Sequence, residues 1–218
     1  MKEFQALLSQ KVIIDISGKV RLSGILVDAG SDIIVLLHQE RYLYIPLNHV
    51  HQVMPDLSKN EDNASAAYSP MKYENDQISL KDILRQAAGL FVELNVSGHV
   101  PLHGYMIAVQ SDYLVLYSPI FKHIHISLQH LKWLIPYPAN HVPYSQDSKV
   151  IAAKPLNALI PSTFGELCKN AEGKLAVFDL GHTIGFIQQV NTGTITFVDA
   201  NGNPMIWNVE HLKSLYLP

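Results

Sequence analysis

The feature that most constrains this chain is an internal repeat with a period of about 80 residues, present in three copies. Copy one spans residues 11–53, copy two spans residues 90–134, and a more divergent copy three spans residues 175–215. Two residue types mark equivalent positions in every copy: the glycines Gly24, Gly104 and Gly185, and the histidines His49, His130 and His211. A fixed period of this kind indicates one folding unit that is used several times.

Length and composition limit what these units can be. A chain of 218 residues holds three of them with connecting segments. A unit of about 50 residues is small for an independent core, so we expect the copies to pack on each other or on another chain. The net charge of −3 disfavours a dedicated nucleic-acid-binding protein. The single cysteine, Cys168, excludes an internal disulfide and a cysteine-rich zinc site.

The sequence contains no charged-then-apolar leader and no apolar run of about 18 residues. We therefore expect a protein that is made in the cytoplasm and stays there or is packed into a structure built there, with no membrane partner.

Alternation of apolar and polar residues predicts short, half-buried strands in each copy. In the first strand of copy one, Val12, Ile14 and Ile16 face inward. A turn glycine follows, Gly18 in copy one and Gly98 in copy two. The recurrent glycine in the middle of the second strand predicts a sharp bend, where the strand curls into a barrel.

A short helical stretch precedes each copy, with Ser79 as the N-cap before copy two. We therefore predict a mainly β protein with three tandem five-stranded barrels, each preceded by a short helix. The predicted boundaries are repeat one at 1–55, a linker at 56–77, repeat two at 78–136, a linker at 137–161 and repeat three at 162–218. Both linkers are predicted to be exposed because they are polar or rich in proline.

This unit of one helix and five bent strands resembles the Sm/LSm fold, a small SH3-like barrel. The stretch LSGILVDAGSDIIVL, residues 22–36, is similar to small Sm-like proteins of spore-forming Bacillus-type bacteria, and its tandem use resembles spore coat protein B. The resemblance implies that strand four of one barrel pairs with strand five of the next. It also implies a structural role in the spore coat, with other coat proteins or further copies of the chain as partners.

The recurrent histidines follow strand four and allow two interpretations. The favoured one is that each closes a tight turn through a backbone hydrogen bond, because the divergent copy three also keeps its histidine. The other is a composite ligand or nucleic-acid site. The pairs His49/His51 and His123/His125 have metal-ligand spacing, but zinc needs a further ligand, so we predict no metal site.

RNA binding is the alternative function, because Phe121-Lys122-His123 resembles the Tyr-Lys-His stretch of the RNA chaperone Hfq. The uridine pocket of Sm proteins, however, uses an Asp, an Asn and an Arg-Gly pair, and this sequence contains no Arg-Gly pair. Fold alone does not carry function. The candidate contacts for RNA or a protein partner are Tyr42, Tyr44, Lys122, His123 and His125.

Catalysis is not expected. The sequence has no glycine-rich phosphate loop, no nucleophile elbow and no His-Glu-x-x-His motif. Cys168 lies on a predicted helix and is interpreted as buried packing. We therefore predict no enzyme activity and no cofactor.

Overall fold

The structure is a computed structural model. It describes residues 2–58, 70–72, 77–97, 100–145, 160–181 and 183–218. Within these residues fifteen strands form antiparallel pairs, which confirms the mainly β prediction. None of the described helices combines the length and the apolar character needed to cross a membrane.

Each copy is built of five strands and is preceded by one short helix, which carries the number of that copy. In copy one these are α1 (Lys2–Gln5), β1 (Lys11–Ile16), β2 (Val20–Ala29), β3 (Ile33–His38), β4 (Arg41–Pro46) and β5 (Val50–Pro55). In copy two they are α2 (Leu80–Gln86), β6 (Phe91–Asn95), β7 (Leu102–Val109), β8 (Tyr113–Ser118), β9 (Lys122–Ser127) and β10 (Trp133–Pro136). In copy three they are α3 (Phe164–Asn170), β11 (Leu175–Phe178), β12 (Thr183–Asn191), β13 (Thr194–Val198), β14 (Pro204–Asn208) and β15 (Ser214–Tyr216). A 3-10 turn joins strands four and five in every copy, at Leu47–His49, Leu128–His130 and Val209–His211.

The bend in strand two has two causes that recur in all copies. The first is the recurrent glycine, because a Cβ on Gly24 would lie 2.3 Å from the backbone oxygen of Leu37 on the next strand. The second is a β-bulge, a shift of register that bends a strand. It falls between Leu26 and Asp28, between Met106 and Ala108, and between Ile187 and Gln189. The glycine is therefore required by close backbone approach on the inward face of a bent strand.

The chain forms two compact units that do not coincide with the three copies. Unit 1 contains Met1–His103 and Leu131–His141, and unit 2 contains Gly104–His130 and Val142–Pro218. The hydrogen-bonded strand order in unit 1 is β6-β10-β4-β3-β2-β1-β5, and in unit 2 it is β14-β13-β12-β11-β15-β9-β8-β7. Copy two therefore contributes strands to both units.

Three separate closed barrels are not confirmed, because the sheet is not closed. In every copy, strand five pairs with strand one of its own copy, whereas strand four does not pair with strand five of its own copy in the described residues. In copies one and two the physical reason is that strand four hydrogen-bonds to strand five of the following copy, as β4 does with β10 and β9 does with β15.

Each unit has a hydrophobic core that combines side chains from two copies. The core of unit 1 joins strands of copy one to Trp133 and Ile135 of copy two. The core of unit 2 joins α3 and the strands of copy three to Tyr113 and Val115 of copy two. The copies thus pack on each other, as their small size predicts.

Most of both predicted linkers, and Gly98, lie outside the described residues. At the start of the second linker, Tyr137 and Pro138 are partly buried, whereas most of residues 139–145 are exposed. The backbone N–H of Tyr137 donates to the carbonyl oxygen of Phe91, and the Tyr137 ring stacks on His141 with the ring centroids 4.3 Å apart.

Candidate functional site

Two joints connect successive copies, and each is made by strand four of one copy and strand five of the next. In joint 1, β4 pairs with β10 and Tyr44 faces Leu134. In joint 2, β9 pairs with β15 and His125 faces Leu215. Tyr44 is 1% exposed and His125 is 8% exposed, so the same strand-four position is buried in both joints.

Joint 1 also contains a buried carboxylate that is bound from both copies. Nη1 of Arg41, on β4, donates to Oε2 of Glu93, on β6, over 2.7 Å. Nε2 of His103 lies 3.5 Å from the same oxygen. Hydrogen bonding from His103 and the Arg41 guanidinium holds the pKa of Glu93 below its ordinary value, despite the opposing effect of burial. The carboxylate therefore stays ionised at neutral pH and links the copies.

Joint 2 is held by neutral hydrogen bonds. Nδ1 of His125 lies 3.3 Å from the carbonyl oxygen of Leu215, and Nε2 of His130 lies 2.8 Å from that of Glu210. Burial lowers the pKa of both histidines, so both imidazoles are neutral at pH 7. A neutral imidazole can still donate one N–H to a carbonyl, which is the role that the geometry gives it here.

The helices that precede copies two and three are each hydrogen-bonded to an aspartate of the preceding copy. Oδ1 of Asp32 accepts from the backbone N–H of Leu80 over 3.0 Å, at the start of α2. Oδ1 of Asp112 accepts from the backbone N–H of Phe164 over 2.8 Å, at the start of α3. The two aspartates are one repeat position, 80 residues apart. Gly193 occupies this position in copy three, so copy three offers no carboxylate there.

The same series of joints leaves two edge strands, which we call the open edges. In the described residues β5, a strand five, pairs only with β1, and β14, a strand four, pairs only with β13. Ile206 on β14 is equivalent to Tyr44 and His125, yet it is 75% exposed. Within the described residues there is therefore one open edge of each type that the joints use.

An apolar groove of about 410 Å³ runs beside the open edge β5. Its lining includes Phe4 and Leu7 from the N-terminal segment and Val50 and Val53 from β5. The groove places open apolar space next to strand five of copy one.

Residues 163–215, within copy three, match a family model described as "YwrJ third domain". Over the whole of both chains, the sequence is 34% identical, across 225 aligned residues, to the uncharacterized protein YwrJ of Bacillus subtilis (strain 168). The chain belongs to the YwrJ family. The matched residues 163–215 of this YwrJ-family chain fall inside the range 162–218 that was predicted for repeat three.

The three recurrent histidines of this YwrJ-family chain have different surroundings. Nδ1 of His49 lies 2.9 Å from Oγ of Ser17, in the turn after β1 of the same copy. His130 contacts copy three in joint 2, and His211 is exposed. Among the described residues, no group of three or more His, Cys, Asp or Glu side chains is arranged to hold a metal ion.

The recurrent glycines also differ in their roles. Gly18 has a left-handed backbone, with φ of +82°, in the turn between β1 and β2. Gly104 and Gly185 share the close backbone approach of Gly24, with a Cβ placed 2.5 and 2.3 Å from a carbonyl oxygen of the next strand.

The candidate contact residues do not form one exposed surface. Tyr42 and Tyr44 lie in unit 1 and are both buried, and the Tyr44 hydroxyl accepts from the backbone N–H of Met71 over 2.7 Å. In unit 2, His125 is buried in joint 2, and the ring of His123 lies 5.2 Å from that of Tyr117. Lys122 is exposed and donates to the carbonyl oxygen of Pro119 over 3.0 Å.

Sequence reasoning missed the role of Asp32 and Asp112 and the exposure of Ile206. The signal for the aspartates was the Ser-Asp pair that recurs after 80 residues and is missing from copy three. For Ile206 the signal is a change of residue type at one repeat position. Copies one and two have an aromatic residue with a polar group there, Tyr44 and His125, whereas copy three has an aliphatic residue.

Proposed function

We propose that this chain is a structural protein that joins a larger protein assembly through its strand edges. One observation carries the proposal: among the residues that the structure describes, strand four pairs with strand five twice, and one edge of each type remains open. Charged side chains are one of the features that protect edge strands, whose unpaired backbone groups invite another strand. Neither β5 nor β14 contains Lys, Arg, Asp or Glu.

The assembly we propose is the spore coat or a similar layer, built from Sm-like units. Residues 22–36 are similar to Sm-like proteins of spore-forming bacteria, and pairing of strand four with strand five is the mode of assembly that this resemblance implies. The similar protein YwrJ comes from Bacillus subtilis, a bacterium of the type that the resemblance names.

No observation favours the RNA-binding alternative. Two of its candidate contacts, Tyr44 and His125, are buried in the joints between copies. Aromatic residues that stack on bases must be accessible to them.

The test is the location of the protein in sporulating Bacillus subtilis. A fluorescent fusion of the full chain should form a rim around the developing spore and should be recovered in the coat extract. The double variant Val53→Lys/Ile206→Lys, which charges both open edges, should lose the rim. Diffuse fluorescence of the unmodified chain would overturn the proposal. So would salt-sensitive binding of short U-rich or A-rich RNA by the purified protein with a Kd below about 1 μM.

A further inference from the structure

Three equivalent strand-four residues have very different exposures. Tyr44 and His125 are buried because strand five of the following copy lies against β4 and β9. Ile206 has the same place on β14, no strand five lies against it in the described part of the chain, and it remains 75% exposed. A large aliphatic side chain at a position that is buried in both other copies points to a third joint that one chain does not complete.

The matching strand-five position is available at the other open edge. In joint 1, Leu134 faces Tyr44 on one side and Leu94, on strand one of its own copy, on the other. In joint 2, Leu215 faces His125 on one side and Phe178, on strand one of its own copy, on the other. In copy one, Ile14 is the residue equivalent to Leu94 and Phe178, and Val53 lies opposite it. Val53 is therefore the equivalent of Leu134 and Leu215, and it is only partly buried.

The groove beside β5 provides the space that a strand-four side chain needs. Val53 lines this groove together with Phe4 and Leu7, which belong to the helical segment of copy one. At joint 1 the corresponding helix, α2, contacts β4. The apolar space between α1 and β5 thus corresponds to the place that receives strand four in an internal joint.

We infer that β14 of one molecule pairs antiparallel with β5 of a second copy of this chain, with Ile206 facing Val53 beside the groove. The inference deepens the proposed function and rests on it, since it names the partner of the open edges. Each molecule has one edge of each type, so the contact is head-to-tail. A contact of this kind produces a ring if it closes and a filament if it does not.

The proposed joint differs from the internal joints in one respect. Copy three has Gly193 in place of the aspartate that accepts a hydrogen bond from the next helix in copies one and two. It also has Thr194 and Thr196 at positions where the other copies have apolar or aromatic residues. The equivalents of these threonines in copy two, Tyr113 and Val115, are buried in the core with α3. Strand pairing and the apolar groove must hold the joint without this helix contact, so we expect reversible, concentration-dependent association.

A disulfide trap tests the pairing and its register. Facing residues of antiparallel strands have Cα atoms about 4.5–5.5 Å apart, which suits a disulfide. The full-length single variants Ile206→Cys and Val53→Cys are mixed and oxidised mildly. We expect a disulfide-linked dimer that contains one molecule of each variant, identified by non-reducing gel and peptide mass spectrometry. The native Cys168 should not compete, because it is buried and burial raises the pKa of its thiol to about 12.

In the matched control, Ile206→Cys is mixed with Gln52→Cys instead of Val53→Cys. The side chain of residue 52 points to the other face of β5, so this pair should not form the disulfide. Equal crosslinking by the two β5 variants, or crosslinking of neither, would overturn the inferred pairing. If light scattering then still shows concentration-dependent oligomers, the proposed function survives and only the register or the partner edge is wrong. A protein that stays monomeric at every concentration and is also absent from the spore layer would overturn both.

A charge substitution gives an independent measurement. Ile206→Lys should raise the Kd for self-association at least about tenfold, because a lysine on an edge strand opposes pairing. Ile184→Lys is the control: it makes the same change at a position that is 63% exposed on β12, away from the edge. Both sites are exposed, so the folded state should be retained, and circular dichroism checks this. Equal effects of the two lysines would contradict the inference.

Discussion

At the residue scale, a glycine in the middle of strand two allows its backbone to lie close against strand three. Gly24 and Gly185 each bring a backbone to a place where a Cβ would lie 2.3 Å from a carbonyl oxygen of the neighbouring strand. A clash with backbone is not relieved by a change of rotamer. The glycine is therefore tied to the bend of the sheet, and its recurrence in all three copies reflects packing geometry.

Replacement of these glycines should be costly. Gly24→Ala and Gly185→Ala should each lower the free energy of unfolding by about 1–3 kcal/mol, the range typical of overpacked sites. Gly165→Ala, in α3, has no atom within 4 Å of the new methyl group and should change stability by less than about 1 kcal/mol, towards greater stability. Urea denaturation measures all three. A loss at Gly165 as large as the other two would show that the close approach is not the cause.

At the scale of the elements, each Ser-Asp turn acts on the helix of the following copy. Asp32 and Asp112 accept from the first backbone N–H of α2 and α3, one of the donors that a helix leaves unsatisfied at its start. The helices also have local caps, as Ser79 accepts from the N–H of Asp82 and Thr163 from that of Glu166. The aspartates therefore add a connection between copies to helices that are already capped.

Removal of this connection should loosen the helix more than the sheet. Asp112→Ala should cost about 1 kcal/mol, as the loss of a capping oxygen does, and should reduce hydrogen-exchange protection mainly in α3. Asp112→Asn keeps the acceptor oxygen and should retain most of the protection. The same pair of substitutions at Asp32 should act on α2. Identical behaviour of the Ala and Asn variants would contradict the assigned hydrogen bond.

Local signals were sufficient to predict the elements and insufficient to predict their neighbours. Period-two alternation predicts the strands, and Ser79 predicts the start of α2, because both depend on residues close in sequence. Alternation fixes which face of a strand is buried but does not say which strand lies beside it. The pairing that places Tyr44 and His125 against the next copy was implied by the family resemblance and not by the alternation.

At the scale of the whole molecule, three copies give two compact units, because copy two supplies strands to both. The two units also contain different titratable groups with shifted pKa values, of which Glu93 and His125 are buried and His130 is half-buried. Unit 2 has His125 and His130, whose pKa values burial holds below the ordinary 6.5. Unit 1 has Glu93, whose pKa is held below the ordinary 4.5, chiefly by hydrogen bonding from His103 and with Arg41 contributing. The units should therefore respond to acid in different pH ranges.

The direction follows from proton linkage. Below about pH 6.5 the unfolded chain binds protons at His125 and His130 that the folded unit 2 does not, so unfolding of unit 2 becomes easier as the pH falls. Ionised Glu93 stabilises unit 1 fully above about pH 4.5, and this contribution is lost only as the pH falls further, through the lower pKa of the folded state. Between about pH 6.5 and 4.5, these groups should weaken unit 2 alone.

The two tryptophans make this difference measurable, since Trp133 lies in the core of unit 1 and Trp207 packs with Phe178 in unit 2. Trp207→Phe leaves fluorescence that reports unit 1, and Trp133→Phe leaves fluorescence that reports unit 2. In urea at pH 7 and pH 5, the midpoint reported by Trp207 should fall while that reported by Trp133 stays nearly constant. His130→Gln, added to the Trp133→Phe background, should reduce the shift because one titrating group is gone. Midpoints that move together at every pH would mean that the two histidines of joint 2 do not set the acid stability of unit 2.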